Sequence, residues 1–236
     1  MTLASLLLER SKSLRIDLTQ KGRLITFLNP YSYLIGRSSL GLYTIFDNIG
    51  IDGILLVVLL KCLGIRRERV SFDGTSLAPV IFRQCASHSM KIALIGGEDG
   101  VARKAAEAVE SEYHCEGLVK IIENGFLTLD QRLQTQARIR DEHIDVVIVG
   151  MGAKLQEQFL SDLRASGWNG WGITCGGYLK QTAKMGTQYY PAWVDKFNIR
   201  WIYRIYDEPV LLRRYAIDYP CALILFVLDF IKSPRK

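Results

Sequence analysis

Asp52 is the one carboxylate in an otherwise apolar run, Ile49-Gly-Ile-Asp-Gly-Ile-Leu-Leu56. A carboxylate placed there has two readings. It is a turn or cap residue, because Asp-Gly is a strong turn pair. Or it is a general base in a partly dry pocket, where desolvation raises its pKa. Two further features could carry chemistry, the glycine-rich turns Gly96-Gly97-x-x-Gly100 and Gly150-x-Gly152. Where a strand turns into a helix, free backbone N–H groups and the helix dipole favour a phosphate. Glycine also serves such turns for steric reasons alone, and neither turn is a full dinucleotide fingerprint or a Walker loop. Gln156 and Glu157 follow the second turn. They either face a ligand at the strand ends or form an ordinary acidic helix start.

These groups need elements to position them, and the sequence supplies an alternating series. Leu24–Leu28 reads as a strand ending at Asn29-Pro30, and Ile54–Cys62 as a buried helix after the Asp-Gly turn. Then come strand 91–95, helix 101–112, strand 118–122, polar helix 129–141, strand 145–149, helix 155–165 and a last strand, 172–175, ending at Gly176-Gly177. Val101, Ala105, Ala108 and Val109 share one helix face, and Val146–Val149 is apolar throughout, as a central parallel strand should be. The expected fold is α/β and Rossmann-like, a largely parallel sheet with helices on both faces. Open sheets of this kind bind ligands at the carboxyl ends of their strands, which favours a nucleotide or a nucleotide-activated substrate.

Composition narrows the class. The 236 residues are 49% hydrophobic and 23% charged, a globular balance. Five cysteines without a C-x-x-C pair suggest reduced thiols. His88, His114 and His143 have no metal-ligand spacing. The N-terminus has no cationic region and too short an apolar run for a signal peptide, so the expected compartment is the cytoplasm. The net charge of +6 is concentrated in the tail, where eight basic residues between Lys196 and Lys236 oppose four acids.

That tail reads differently from the rest. An arginine- and aromatic-rich stretch from Ile199 runs into Cys221-Ala-Leu-Ile-Leu-Phe-Val-Leu-Asp-Phe-Ile231. The apolar run is about half the roughly 20 residues needed to span a bilayer. It suits a segment lying on an anionic membrane surface, the alternative being a C-terminal core helix. Basic charge beside an apolar run favours lipid over nucleic acid as partner. The expected division is a core over residues 1–198 and a membrane-associating helical appendage over 199–236.

Taken in order, the motifs resemble the WecG/TagA/CpsF family of bacterial glycosyltransferases. The matching pieces are Leu28-Asn29-Pro30, Ile51-Asp52-Gly53, Arg69-Val70-Ser71, Ile95-Gly96-Gly97 and Val149-Gly-Met-Gly-Ala-Lys-Leu-Gln156-Glu157. They continue with Cys175-Gly176-Gly177-Tyr178, Tyr190-Pro191-Ala-Trp193, Arg200-Trp201-Ile-Tyr-Arg204 and Glu208-Pro209…Arg213-Arg214-Tyr215. Four departures mark a divergent subgroup similar to exopolysaccharide glucosyltransferases. Phe27 replaces a threonine, Phe72–Ser76 distorts a Gly-x-Asp-Leu segment, Leu155 replaces a proline and Arg200 replaces a glutamate.

The resemblance implies an inverting transferase moving a hexose or N-acetylhexosamine from a UDP-sugar to a polyprenyl-diphosphate-linked saccharide. It makes Asp52 the base, with Asn29 beside it. Gly96, Gly97, Gly150, Gly152, Gln156 and Glu157 are then expected around the donor nucleotide. Arg69, Arg204, Arg213 and Arg214 are expected on the leaving group. There is no D-x-D motif, so a metal-independent reaction without cofactor is expected. The implied place is peripheral, on the inner face of a bacterial plasma membrane, and a homo-oligomer is left open. Two alternatives stand beside it. One is a non-catalytic scaffold of a polysaccharide assembly complex. The other is a nucleotide-dependent oxidoreductase, which would need a full fingerprint and an acid about 20 residues on; Glu116 has the spacing, but the second glycine of the fingerprint is missing.

Overall fold

The structure is a computed structural model, and it describes all residues except 13, 192, 195, 196, 198 and 234–236. Lys196, Arg235 and Lys236 of the basic tail, and Ala192 of the Tyr190–Trp193 motif, therefore lie outside the described residues. Six strands form one all-parallel sheet in the order β2-β1-β6-β5-β3-β4: β1 Leu24–Leu28, β2 Asn48–Ile51, β3 Ile92–Gly96, β4 Val119–Glu123, β5 Val146–Gly150 and β6 Trp171–Thr174. The largely parallel α/β sheet expected from the sequence is what the chain forms.

Alternate residues of the central strands feed two separate cores, one per face. On one face Ala93, Ile95, Val147 and Val149 meet helices α1 (Leu3–Arg10), α2 (Pro30–Gly36), α3 (Leu40–Tyr43), α4 (Ile54–Cys62), α7 (Leu129–Asp141) and α8 (Leu155–Ala165). On the other, Ile92, Leu94, Val146 and Ile148 meet α5 (Leu77–Ser87), α6 (Val101–Tyr113) and α9 (Tyr178–Met185). Helices α1, α2, α3, α5 and α9 add to the expected series. Helix α2 starts where the sequence turns, because Asn29 caps it: its Oδ1 accepts from Ser32 N at 2.9 Å, Ser32 Oγ accepts from Asn29 N at 2.9 Å, and Pro30 occupies the first turn.

One expectation needs correction. Helix α4 runs over Ile54–Cys62 as expected, but it is not a buried helix. Leu56 and Leu60 face the core, whereas Leu55 is 37% and Val58 48% exposed. Apolarity all round a helix does not by itself distinguish a core helix from one whose outer face awaits a ligand.

The tail comprises α10 (Arg200–Asp207), a helical turn at Leu211–Arg213, a π-helical stretch at Arg214–Asp218, and α11 (Tyr219–Lys232). Helix α11 lies against α1 and α2. Its Phe226 is fully buried, with its ring 5.1 Å from that of Tyr33. Asp229 is also buried and clamps α2: Arg37 donates to it through Nε (2.6 Å) and Nη2 (2.8 Å), and Tyr33 Oη donates at 2.6 Å. The opposite face of α11 leaves Ile224, Leu228 and Ile231 exposed. The core-helix reading of the tail therefore holds for one side of α11, and the other side is exposed. Among the described residues no helix is long and apolar enough to cross a membrane.

Candidate active site

The carboxyl ends of β1, β2, β5 and β6 open into a cleft of about 560 Å³. Each strand end delivers a polar group or a glycine: Asn29 after β1, Asp52 and Gly53 after β2, Gly152 after β5, and Thr174, Gly176 and Gly177 at and beyond the end of β6. The turn reading of Asp52 holds, and its side chain is also exposed to a cleft. It sits in the turn between β2 and α4, held by a 2.9 Å bond from its own N–H to Leu28 O, and its side chain lines the cleft. Gly53 follows with φ of +96°, a conformation open to glycine and strained for other residues.

The Asp52 carboxyl is 37% accessible. That surface faces the cleft rather than open water, and desolvation by the walls pushes its pKa up. Arg69, at 3.9 Å, pulls it back, as do Arg200 and a hydrogen bond from Asn29, while Asp73 pushes it further up. A carboxylate poised this way is more basic than a free one and stays ionisable, as a general base requires.

Four arginines line the cleft: Arg69, Arg200, Arg204 and Arg214. Arg69 bridges Asp52 and Asp73, at 3.4 Å from the latter. Arg204 Nη2 donates to Glu208 at 3.2 Å. The Arg214 guanidinium stacks 3.8 Å from the centre of the Tyr31 ring, a cation–π contact. Among the described residues Arg214 has no ion pair, so its charge is available to a ligand. A positively lined cleft beside one basic carboxylate can stabilise an anionic leaving group while a proton is taken from an incoming hydroxyl.

Two departures from the family pattern meet in space. Asp73, from the distorted segment, accepts from Arg200 Nη1 at 2.5 Å, and Arg200 stands where a glutamate is usual. Ser71 and Thr75 also donate to Asp73. Burial opposes its ionisation, but Arg200, Ser71 and Arg69 outweigh burial and hold its pKa down to about 2. Arg200 also stacks 4.7 Å from the Tyr190 ring centre. Phe27 has a structural counterpart as well. Its ring fills the space over Gly50, where a Cβ would come within 2.5 Å of it.

The chain matches the model of the glycosyl transferase WecG/TagA/CpsF family over residues 7–236. It belongs to that family. It is also similar to a UDP-Gal:alpha-D-GlcNAc-diphosphoundecaprenol beta-1,4-galactosyltransferase of Shigella boydii, at 31% identity over 210 residues, covering 87% of this chain and 86% of the relative. As a member of the WecG/TagA/CpsF family the chain is a glycosyltransferase, which sets aside the oxidoreductase reading.

The structure gathers Asp52, Asn29, Gly152, Gln156, Arg69, Arg204 and Arg214 around the cleft of this glycosyltransferase. Gly96, Gly97, Gly150, Glu157 and Arg213 are not among its lining residues. Gly96 packs against Gly150, where a Cβ would lie 2.6 Å from the Gly150 carbonyl oxygen, so close approach of β3 and β5 explains this glycine. Glu157 is fully buried beneath the floor. Burial pushes its pKa up, and three donors oppose that: Thr26 Oγ1 (2.7 Å), Gln156 Nε2 (3.1 Å) and Lys154 N (2.6 Å). It accepts from Gln156, whose Oε1 has no hydrogen-bond partner among the described residues. Sequence reasoning gave no site role to Asp73, Tyr31, Thr174 or Tyr190, although Tyr190 stands in a matching motif and Asp73 in the distorted segment. Asp73 carried a signal, a carboxylate close after Arg69, but the pairing with Arg200 spans 127 residues of chain.

Proposed function

We propose that this family member transfers a hexosyl or N-acetylhexosaminyl group from a UDP-sugar to a hydroxyl of a polyprenyl-diphosphate-linked saccharide, with inversion, in the synthesis of a bacterial cell-surface polysaccharide. The observation that carries the reading is Asp52, raised in basicity at the strand ends of a cleft lined by four arginines. The Asp52 carboxylate takes the proton of the acceptor hydroxyl as its oxygen bonds to the anomeric carbon. The bond from that carbon to the diphosphate oxygen breaks, and UDP departs with the electron pair. Attack from the face opposite UDP inverts the anomeric centre. Arg69 and Arg204 stabilise the developing diphosphate charge without a metal ion.

The relative's name supports the substrate classes, and makes UDP-galactose and a GlcNAc-diphosphate lipid the first pair to try. The tail supports work at a membrane surface. Its basic residues lie beside exposed Trp201, Ile202, Tyr206, Ile224, Leu228 and Ile231, the pairing expected of an interfacial segment. In this account the enzyme is peripheral on the cytoplasmic face of the plasma membrane. The test is transfer from a panel of radiolabelled UDP-sugars to bacterial membrane lipids, with and without EDTA. Labelled lipid that survives EDTA is expected; label that requires an added divalent ion would remove the metal-free mechanism.

A further inference from the structure

The exposed side of α4 has no role in the chemistry above, yet it adjoins the cleft. Ile54 and Leu55, from its first turn, line the cleft opposite Tyr31 and Ile35 of α2. From Leu55 the apolar surface continues outward to Val58, and Ile54–Leu60 contains no polar side chain before Lys61. Helix α4 is about 13 Å long at 1.5 Å per residue. Such a ridge on the surface costs solubility without adding to the core. Arg214, stacked on Tyr31 and without an ion pair among the described residues, lines the same cleft as Ile54 and Leu55.

We infer that Tyr31, Ile35, Ile54, Leu55 and Val58 form a prenyl-chain subsite, with Arg214 at its head taking the acceptor's diphosphate. The inference rests on the proposed acceptor class and deepens it. A cation at one end and an uninterrupted apolar track leading away from it match a prenyl diphosphate: a double anion followed by branched hydrocarbon. Ile54 and Leu55 line the cleft with Asp52, and Val58, outside that lining, is exposed about one turn farther along α4, so a chain on this track leaves room for the saccharide near Asp52. The polar alternative, a second nucleotide, has no use for Leu55 and Val58. The other occupant of an exposed apolar ridge is the bilayer itself, and the test separates the two.

Binding of methyl, geranyl and farnesyl diphosphate to the full chain is measured by calorimetry in detergent-free, vesicle-free buffer. Farnesyl diphosphate should bind roughly tenfold or more tightly than methyl diphosphate, a modest fraction of what full burial of the chain would give. Val58→Asp should abolish that chain-length gain. Leu133→Asp, at an exposed position of α7, should retain it, and a UDP-induced rise in Tm reports that each variant is folded. Equal affinities of the wild type for the three diphosphates would overturn the inference and hand the ridge to the bilayer. A gain that persists in Val58→Asp would overturn it too. Chain-length-dependent binding in a protein that transfers no sugar would refute the proposed reaction and leave the subsite standing.

Discussion

Replacing Asp229 with alanine tests whether the tail is fixed to the core by its buried clamp. Asp229 is 4% exposed and accepts three hydrogen bonds, two from Arg37 and one from Tyr33. Without it, the Tyr33 hydroxyl stays buried and unpaired, which costs about 1–3 kcal/mol. The Arg37 side chain is 38% exposed and regains water, so its share is no more than about 1 kcal/mol. A total near 2–3 kcal/mol corresponds to a fall in Tm of roughly 4–12 °C for a domain of this size. Because Trp201, Arg204, Arg214, Tyr215 and Tyr219 wall the cleft, transfer should fall together with stability. The assay is a thermal melt with limited proteolysis across residues 199–218. Hydrogen bonds from Arg37 and Tyr33 hold the Asp229 pKa below its ordinary value. Its stabilisation is therefore complete above the unfolded carboxylate pKa and disappears as pH falls through the lower folded one. The gap in Tm between wild type and Asp229→Ala should be full at neutral pH and close on acidification below about pH 4. An unchanged Tm, or a gap that stays constant with acid, would refute the clamp.

Other consequences follow from the site. Ionised Asp52 is the active form and its pKa is raised, so kcat/KM should climb with pH through a limb above the ordinary carboxylate range; Arg69→Met removes the cation that pulls this pKa down and should move the limb to higher pH, as a pH–rate profile would show. Arg214→Ala should reduce transfer by roughly tenfold or more, the loss of one charge-assisted contact worth about 1.5–3 kcal/mol, while the far-UV spectrum is unchanged. Phe226→Ala empties a fully buried aromatic site and should cost about 3–5 kcal/mol in a denaturant titration. Gly50→Ala should be destabilised by about 1–3 kcal/mol through its clash with Phe27, and the same substitution should cost less in a Phe27→Ala background, as a double-mutant cycle would show.

The alternating strands and helices were legible because each is a short apolar run or a one-faced helix bounded by turn residues. Helices α2 and α9 were hidden: their polar first turns follow glycine or Asn-Pro and resemble loops, and the Asn29 cap becomes visible only with Ser32 beside it. The cleft positions of Asp52, Asn29, Arg69, Arg204 and Arg214 were legible as an ordered series of motifs, whereas Arg213, expected with them, does not line the cleft. Local pattern cannot carry what depends on contact across the chain. The Asp73–Arg200 pair and the Asp229 clamp join residues 127 and 192 positions apart. The exposure of α4 was missed for a related reason. Burial was inferred from hydrophobicity, whereas the ridge at Leu55 and Val58 is apolar and uncovered, a local inconsistency of the kind expected near a functional site.

The central claim is that Asp52, besides its place in the turn after β2, acts as base. The most direct measurement is the rate of transfer by Asp52→Asn, with UDP binding followed by its effect on Tm. Asparagine keeps the size of the side chain and its turn geometry but cannot accept the proton. The account predicts transfer reduced by about 10²–10⁴-fold with the UDP-induced Tm rise unchanged. Transfer near the wild-type rate in a variant that still binds UDP would contradict it.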